Sequence, residues 1–232
     1  MSGVDIAANL ARVRERIAAA CERRGPGPAI TLIGVSKRQP VPALQAALAA
    51  GLADLGENYA QELHAKQDAP ELAGLPIRWH FIGALQSNKA RLVVGSALIH
   101  TVDRAALVTA LAARARAMET VQDVLVEVNL GGEAQKAGVA PTALPALLDA
   151  IAAQDGALCC RGLMLIPPVD EPERSRPYFA ALRELAARGA EGRPHVELRE
   201  LSMGMSGDYE VAIAEGATMV RVGTAIFGAR PL

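Results

Sequence analysis

The sequence predicts an α/β protein, a (β/α)8 barrel of the TIM type folded as a single domain over residues 1–232. Three observations carry that expectation. Short apolar runs alternate with stretches of helical period, and the runs are apolar on successive residues, as parallel strands covered on both faces are. The runs number eight, as a closed barrel requires, and 232 residues come near the roughly 250 such a barrel uses. No Pro/Ser-rich linker or shift of composition marks a second domain.

The elements follow in order. Residues 4–24 read as an amphipathic helix, because Ile6, Leu10, Val13 and Ile17 recur at helical spacing with arginines on the other face. Gly25-Pro26-Gly27-Pro28 ends it. Strands are expected at Ile30–Ser36, Leu52–Gly56, Arg78–Ile82, Ala97–Val102, Val124–Asn129, Cys160–Ile166, Glu197–Ser202 and Thr218–Val222. Helices are expected near 41–50, 58–69, 87–94, 104–118, 141–153, 171–189 and 207–215, with a terminal helical turn after the last strand. Leu52–Gly56 and Glu197–Ser202 carry the weakest strand signals. Gly131–Gly138 is the most glycine-rich loop, readable as a lid or as a plain surface loop.

Composition narrows the function. Half of the residues are apolar but only 3% aromatic, so the core must be built from Ala, Leu, Val and Ile. Net charge is −1 with both signs interspersed, which argues against a nucleic-acid or anionic-membrane surface. Cys21, Cys159 and Cys160 match no disulfide framework or zinc spacing, and the four histidines lack metal-ligand spacing, so no metal is expected. No segment approaches a membrane span and residues 1–24 lack a continuous apolar stretch, so a soluble cytoplasmic protein is expected.

Lys37 is the first residue with chemistry to offer. The chain has 20 arginines but only four lysines, and Lys37 directly follows the first apolar strand. At a barrel mouth a partly desolvated ammonium has a lowered pKa, which makes the nucleophilic amine accessible. The bland alternative is a lysine that ends a strand and reaches for solvent. Polar or unusual residues recur where the other strands end: Glu57 and Asn58, His80 and Gly83, Asp103, Asn129, Met164, Ser202 to Ser206, and Gly223 with Thr224. A βα barrel gathers these ends at one face. The loops at 201–208 and 222–227 combine glycine and hydroxyl residues ahead of helix starts, which suits a phosphate as well as it suits ordinary capping by Ser206 and Thr224. Arg221 shares the parity of Gly223 and should point inward, where it needs a carboxylate or a ligand acceptor as partner.

These residues also fall in blocks. Ile33-Gly-Val-Ser-Lys37, Gly56-Glu-Asn-Tyr59, Trp79-His-Phe-Ile-Gly83 with Gln86-Ser-Asn-Lys89, Arg161-Gly-Leu-Met164, Leu201-Ser-Met-Gly-Met-Ser206 and Arg221-Val-Gly-Thr-Ala-Ile-Phe-Gly-Ala-Arg230 resemble the pyridoxal phosphate homeostasis proteins. That family is a set of single-domain relatives of the barrel half of alanine racemase, and the likeness covers residues 4–230 in order. Ala84 stands where the family often has a bulkier or charged residue, and the chain ends two residues after Arg230, without the tail seen in some relatives.

The resemblance implies a cofactor and roles. The cofactor would be pyridoxal 5′-phosphate, held as a Schiff base on Lys37. Ser206, Gly223 and Thr224 would hold its phosphate, with Ser202 and Met205 nearby. Arg221 would face the pyridine nitrogen, Asn58 the phenolic oxygen, and Met164, His80 and Gly83 would shape the pocket. The expected function is vitamin B6 homeostasis and supply, with apo forms of pyridoxal phosphate enzymes as partners and the chain a monomer or weak homodimer. A racemase is the competing reading. Against it, an arginine opposite the ring nitrogen weakens the electron sink that catalysis uses. A second base is also missing, since Tyr59, Tyr178 and Tyr209 are the only tyrosines and none sits in a catalytic motif. No catalytic residue is therefore expected.

Overall fold

In a computed structural model of the chain, which describes residues 4–132, 137–168, 171–189 and 192–228, eight parallel strands close into a barrel in sequence order. The strands are β1 (Thr31–Val35), β2 (Asp54–Glu57), β3 (Arg78–Phe81), β4 (Leu98–Val102), β5 (Gln122–Glu127), β6 (Leu158–Met164), β7 (Val196–Ser202) and β8 (Met219–Val222). Closure is made by β8 against β1, in the register Thr31↔Met219, Ile33↔Arg221 and Gly34↔Val222. All eight expected strands are present, including the two with the weakest signals.

The helices are α1 (Ile6–Arg24), α2 (Val41–Ala49), α3 (Ala60–Gln67), α4 (Ala105–Ala117), α5 (Leu144–Ala152), α6 (Pro172–Gly189), α7 (Tyr209–Ala214) and α8 (Thr224–Phe227). At the start of α1 the Asp5 carboxylate accepts the Ala8 N–H at 2.9 Å, and Ile6, Leu10 and Val13 are buried as the periodicity requires. Gly25 ends it at φ 79°, a left-handed conformation that costs glycine little.

Three expectations are corrected. The helix expected near 87–94 is a 3-10 helix, Ser87–Leu92. Only sixteen residues join β3 to β4, and a 3-10 turn descends about 2.0 Å per residue against about 1.5 Å for an α-helix. The stretch near 141–153 opens with a 3-10 turn, Pro141–Ala143, before α5 begins. β5 and β6 start and stop about two residues earlier than expected; past the end of β5, Val128 N–H still donates to Met164 O while Asn129 N–H donates to Val139 O beside an isolated bridge between Val128 and Val139. That pairing anchors the base of the 131–138 loop, whose residues 133–136 lie outside those described.

Alternation along each strand sorts the side chains into two cores. Between barrel and helices lies the main one, built on aliphatic side chains with Phe81, Phe179 and Trp79 among them. Inside the barrel is a smaller cluster, Ile33, Leu98, Leu125, Met164 and Met219, with one member each from β1, β4, β5, β6 and β8. The rest of the interior is polar, and it reaches the site.

Candidate functional site

At the C-terminal mouth β1 delivers Lys37 on a tight turn. Ser36 is fully buried, Lys37 half-buried, and Arg38 adopts φ 59°, a left-handed conformation that a non-glycine residue holds at some cost. The turn is gripped from behind. Lys66 of α3 is buried and donates to the Ser36 carbonyl at 2.8 Å, to Glu57 Oε1 at 2.7 Å and to Glu62 Oε1 at 2.8 Å. Glu62 in turn accepts the Arg38 N–H at 2.6 Å, and Ser36 Oγ donates to Glu57 at 2.6 Å. The carbonyl before Lys37 and the N–H after it are thus both fixed by one ionic cluster outside the barrel. Burial pushes the Glu57 carboxyl up, and Lys66 pulls against it. A buried pair of this kind is kept by its hydrogen bonds, and removing one partner strands the other charge.

Across the β1–β8 seam, Lys37 shares a small cavity with Val35, Gln39, Gly223, Thr224 and Gly228. The loop after β7 is tied to the one after β8. Ser206 Oγ accepts the Gly223 N–H at 3.3 Å instead of capping α7, whose cap position is taken by Asp208. Sheet pairing also runs past the end of β7, with Met203 N–H donating to Met219 O and Arg221 N–H to Gly204 O. Gly204 has φ 91°, and a Cβ there would lie 2.7 Å from the Ala212 Cβ, so the loop folds down only with glycine. Met205 spends its backbone on Asp208 and Tyr209. Thr224 opens α8 and is exposed.

Beside these groups a second cavity of about 200 Å3 opens over β2 to β6, lined by Asn58, Gly83, Thr101, Glu127 and Asn129 among others. Asn58 Oδ1 is buried there without a hydrogen-bond partner, an arrangement that costs free energy unless a donor reaches it. A Cβ on Gly83 would fall 2.0 Å from the Asn58 carbonyl, so the ends of β2 and β3 meet only because residue 83 lacks one. Burial, with Asp103 adding to it and Arg221 opposing it, raises the Glu127 carboxyl to about 7.

Below the mouth lies Arg221, buried in the barrel. Within the protein it donates to two neutral oxygens and to no carboxylate among the described residues: Nη1 to Ser202 Oγ at 2.6 Å and Nη2 to Leu165 O at 2.9 Å. Burial lowers its pKa to about 10, with Glu127 and Asp208 resisting, so it remains a cation at neutral pH. Met164 is fully buried in the inner apolar cluster. His80 departs from expectation. Its ring points down the barrel, bonding Asp54 at 2.9 Å and His100 at 3.0 Å, and it lines a cavity at the N-terminal mouth instead of the C-terminal one. The reason is parity: His80 lies two strand positions short of the end occupied by Ile82, one level too deep to reach the rim.

The structure therefore gathers Lys37, Gly223 and Thr224, links Ser206 to Gly223, and sets Asn58 and Gly83 together next door. Sequence reasoning overlooked Lys66, Glu62, Glu127, Asp54 and His100. Strand parity could have found Asp54 and Glu127, since they share the inward phase of Asn58 and Leu125. Nothing in the sequence separates a buried Lys66 from an exposed one.

The chain is similar to known proteins over nearly its full length. Residues 6–231 match the family model described as alanine racemase, N-terminal domain. A pyridoxal phosphate homeostasis protein of Pseudomonas aeruginosa is 47% identical over 228 residues, covering 97% of this chain and 96% of that protein. PipY of Synechococcus elongatus, solved with PLP bound, superposes with a TM-score of 0.83 at 39% identity, covering 96% of this chain and all of that one. The alanine racemase of Streptomyces coelicolor superposes at 0.71 with 24% identity over 59% of its length, a likeness of fold alone.

Proposed function

The chain belongs to the pyridoxal phosphate homeostasis protein family, and from that premise we propose that it binds pyridoxal 5′-phosphate at the C-terminal mouth, through Lys37, and serves its intracellular supply. The observation that carries this reading is the shared cavity of Lys37, Gly223 and Thr224, with Ser206 tied to the same glycine. An amine and a set of backbone and hydroxyl donors lie side by side there, as a ligand carrying an aldehyde and a phosphate requires. Asn58 flanks the same mouth, where its amide N–H groups would face an oxygen of the ring. When bound, pyridoxal phosphate supplies an aldehyde that an amine captures covalently and a ring that can act as an electron sink. Lys66, Glu57 and Glu62 hold the Lys37 backbone in place, and Arg221 would face the ring nitrogen.

The same residues favour a carrier over a racemase. Arg221 stays protonated, so toward a ring nitrogen it can only donate, and a nitrogen that accepts is not itself protonated. Its two terminal nitrogens donate to neutral acceptors, Ser202 Oγ and Leu165 O. Of the tyrosines, Tyr59 stacks on Arg38, Tyr209 is covered by Arg16 and Tyr178 packs on the outer core. None lines the two cavities of this mouth. The apo forms of pyridoxal phosphate enzymes are the expected recipients. No helix among the described residues is long and apolar enough to cross a membrane.

Borohydride reduction of protein loaded with pyridoxal phosphate, followed by peptide mass mapping, tests the assignment. The reduced adduct is expected on Lys37, and Lys37→Ala should abolish the visible absorbance while leaving the circular dichroism unchanged. An adduct on Lys66 or Lys89 in the wild type would refute it.

A further inference from the structure

The barrel interior holds a continuous line of side chains from one mouth to the other. Asp54 Oδ1 lies 2.9 Å from His80 Nε2, His80 Nδ1 lies 3.0 Å from His100 Nε2, and His100 Nδ1 lies 2.9 Å from Ser202 Oγ, which accepts from Arg221 at 2.6 Å. We propose that Asp54, His80, His100 and Ser202 form a proton relay along the barrel axis that links Arg221, and with it the cofactor pocket, to the N-terminal mouth. The relay deepens the cofactor reading above and rests on it for the claim that Arg221 faces the ring.

Counting donors shows that the line has two self-consistent states. In the first, both histidines are neutral with the proton on Nε2. Ser202 accepts from Arg221 and donates to His100, His100 donates to His80, and His80 donates to Asp54. Every bond then points the same way. In the second state there is one more proton. The Ser202 hydroxyl proton passes to His100 Nδ1, the His100 Nε2 proton passes to His80 Nδ1, and Ser202 Oγ takes a replacement from the pocket. The net change is one proton taken from the pocket and one positive charge on His80. His100 stays neutral with its proton on Nδ1, and the Ser202 hydroxyl is free to donate into the pocket. A third arrangement, with both histidines neutral and His100 donating to Ser202, leaves a lone pair on His80 Nε2 facing the Asp54 carboxylate, so it is disfavoured.

The surroundings choose His80 as the place for the charge. His100 is fully buried, and burial, His80 and Arg221 together hold its pKa well below the usual histidine value. His80 instead borders a cavity of about 440 Å3 open to solvent at the N-terminal mouth. Its nearest charged neighbour is Asp54, which burial would raise but which His80 and Arg78 hold below its usual value. From β5, β6 and β7, Arg161 is paired with Asp123 at 2.9 Å and with Glu197 at 2.7 Å. Glu200 accepts the Thr218 hydroxyl, and Arg199 completes the rim. With Asp54 and Arg78 included, four acids and three arginines line this mouth.

Imidazole 15N–1H correlation on the labelled, cofactor-free protein from about pH 9 to about pH 5 reads both rings across the histidine range. His80 and His100 are expected to start with the proton on Nε2. As His80 gains its second proton, His100 should switch to the Nδ1–H form at the same midpoint without becoming charged, and Asp54→Asn should lower that midpoint. A His100 that keeps its Nε2 proton while His80 titrates, or that becomes charged itself, overturns the relay. In loaded protein the cofactor absorbance should shift with that midpoint. Ser202→Ala should remove the pH dependence and Ser202→Thr restore it; a flat absorbance in the wild type also overturns the proposal. A protein that takes up no pyridoxal phosphate would instead overturn the cofactor reading, and the tautomer switch would still decide the relay.

Discussion

Glu127 is an acid the fold prefers to keep protonated. Its carboxyl is raised to about 7 in the folded protein, so between the unfolded value near 4.5 and 7 the folded state holds a proton that the unfolded chain has lost. Stability contributed by this group is full below about pH 4.5 and falls as pH rises to 7, by about 3 kcal/mol at 1.36 kcal/mol per unit. Glu127→Gln is expected to raise the melting temperature at pH 8 and to leave it nearly unchanged at pH 4.5, as calorimetry at the two values would show. Lys66 makes the opposite case, a charge the fold cannot do without. Lys66→Met leaves the buried Glu57 without its cation and should destabilise the protein by about 3–5 kcal/mol in urea titrations. A loss below about 1 kcal/mol, the range of exposed pairs, would show that water reaches this cluster. Lys37 and Arg221 could be singled out from sequence because each stands at a strand end of known parity. Lys66 could not, because its burial depends on how α3 settles over β1 and β2, a tertiary fact absent from local pattern.

The strands and helices were legible almost throughout, since parallel strands and amphipathic helices write different periods into the chain. Their edges were not. β5 ended two residues early because Val128 and Asn129 tolerate extended backbone inside the sheet as well as outside it, and the bridge to Val139 is a tertiary contact. The loops after β7 and β8 were found by their glycines, yet Ser206 was open to two readings until its bond to Gly223 was visible. That bond predicts coupling. Ser206→Ala is expected to weaken cofactor binding by roughly 1–3 kcal/mol in equilibrium titration, more than a lone exposed hydroxyl would. Gly83→Ala tests the approach of β2 and β3 in the same way. With only 2.0 Å to the Asn58 carbonyl, the alanine must push Asn58 out of the mouth, lowering affinity and melting temperature together. An unchanged affinity would place the cofactor away from Asn58.

At the scale of the whole molecule, α1 straps the seam where the barrel closes. Asn9 Nδ2 donates to Ile226 O at 2.8 Å, Arg16 and Arg23 both reach Glu210 of α7, and Arg14 holds the carbonyls of Ala50 and Gly51 after α2. Leu10, fully buried beneath this strap, should cost about 2–5 kcal/mol when cut to alanine. Because α7 and α8 carry the loops that meet Lys37, affinity for the cofactor should fall as well; a loss of stability alone would mean the strap does not reach the site. The contact from Asn9 to Ile226 spans nearly the entire chain. Such a contact cannot form during synthesis until α8 has left the ribosome, so α1 must wait for it. Closing a loop of that length is slow, and barrel halves made first would expose unpaired strand edges meanwhile. Refolding should thus be limited by the docking of α1 onto the completed seam. A circular permutant that joins residue 228 to residue 4 through a short flexible linker and opens the chain in an exposed loop should refold faster at similar stability.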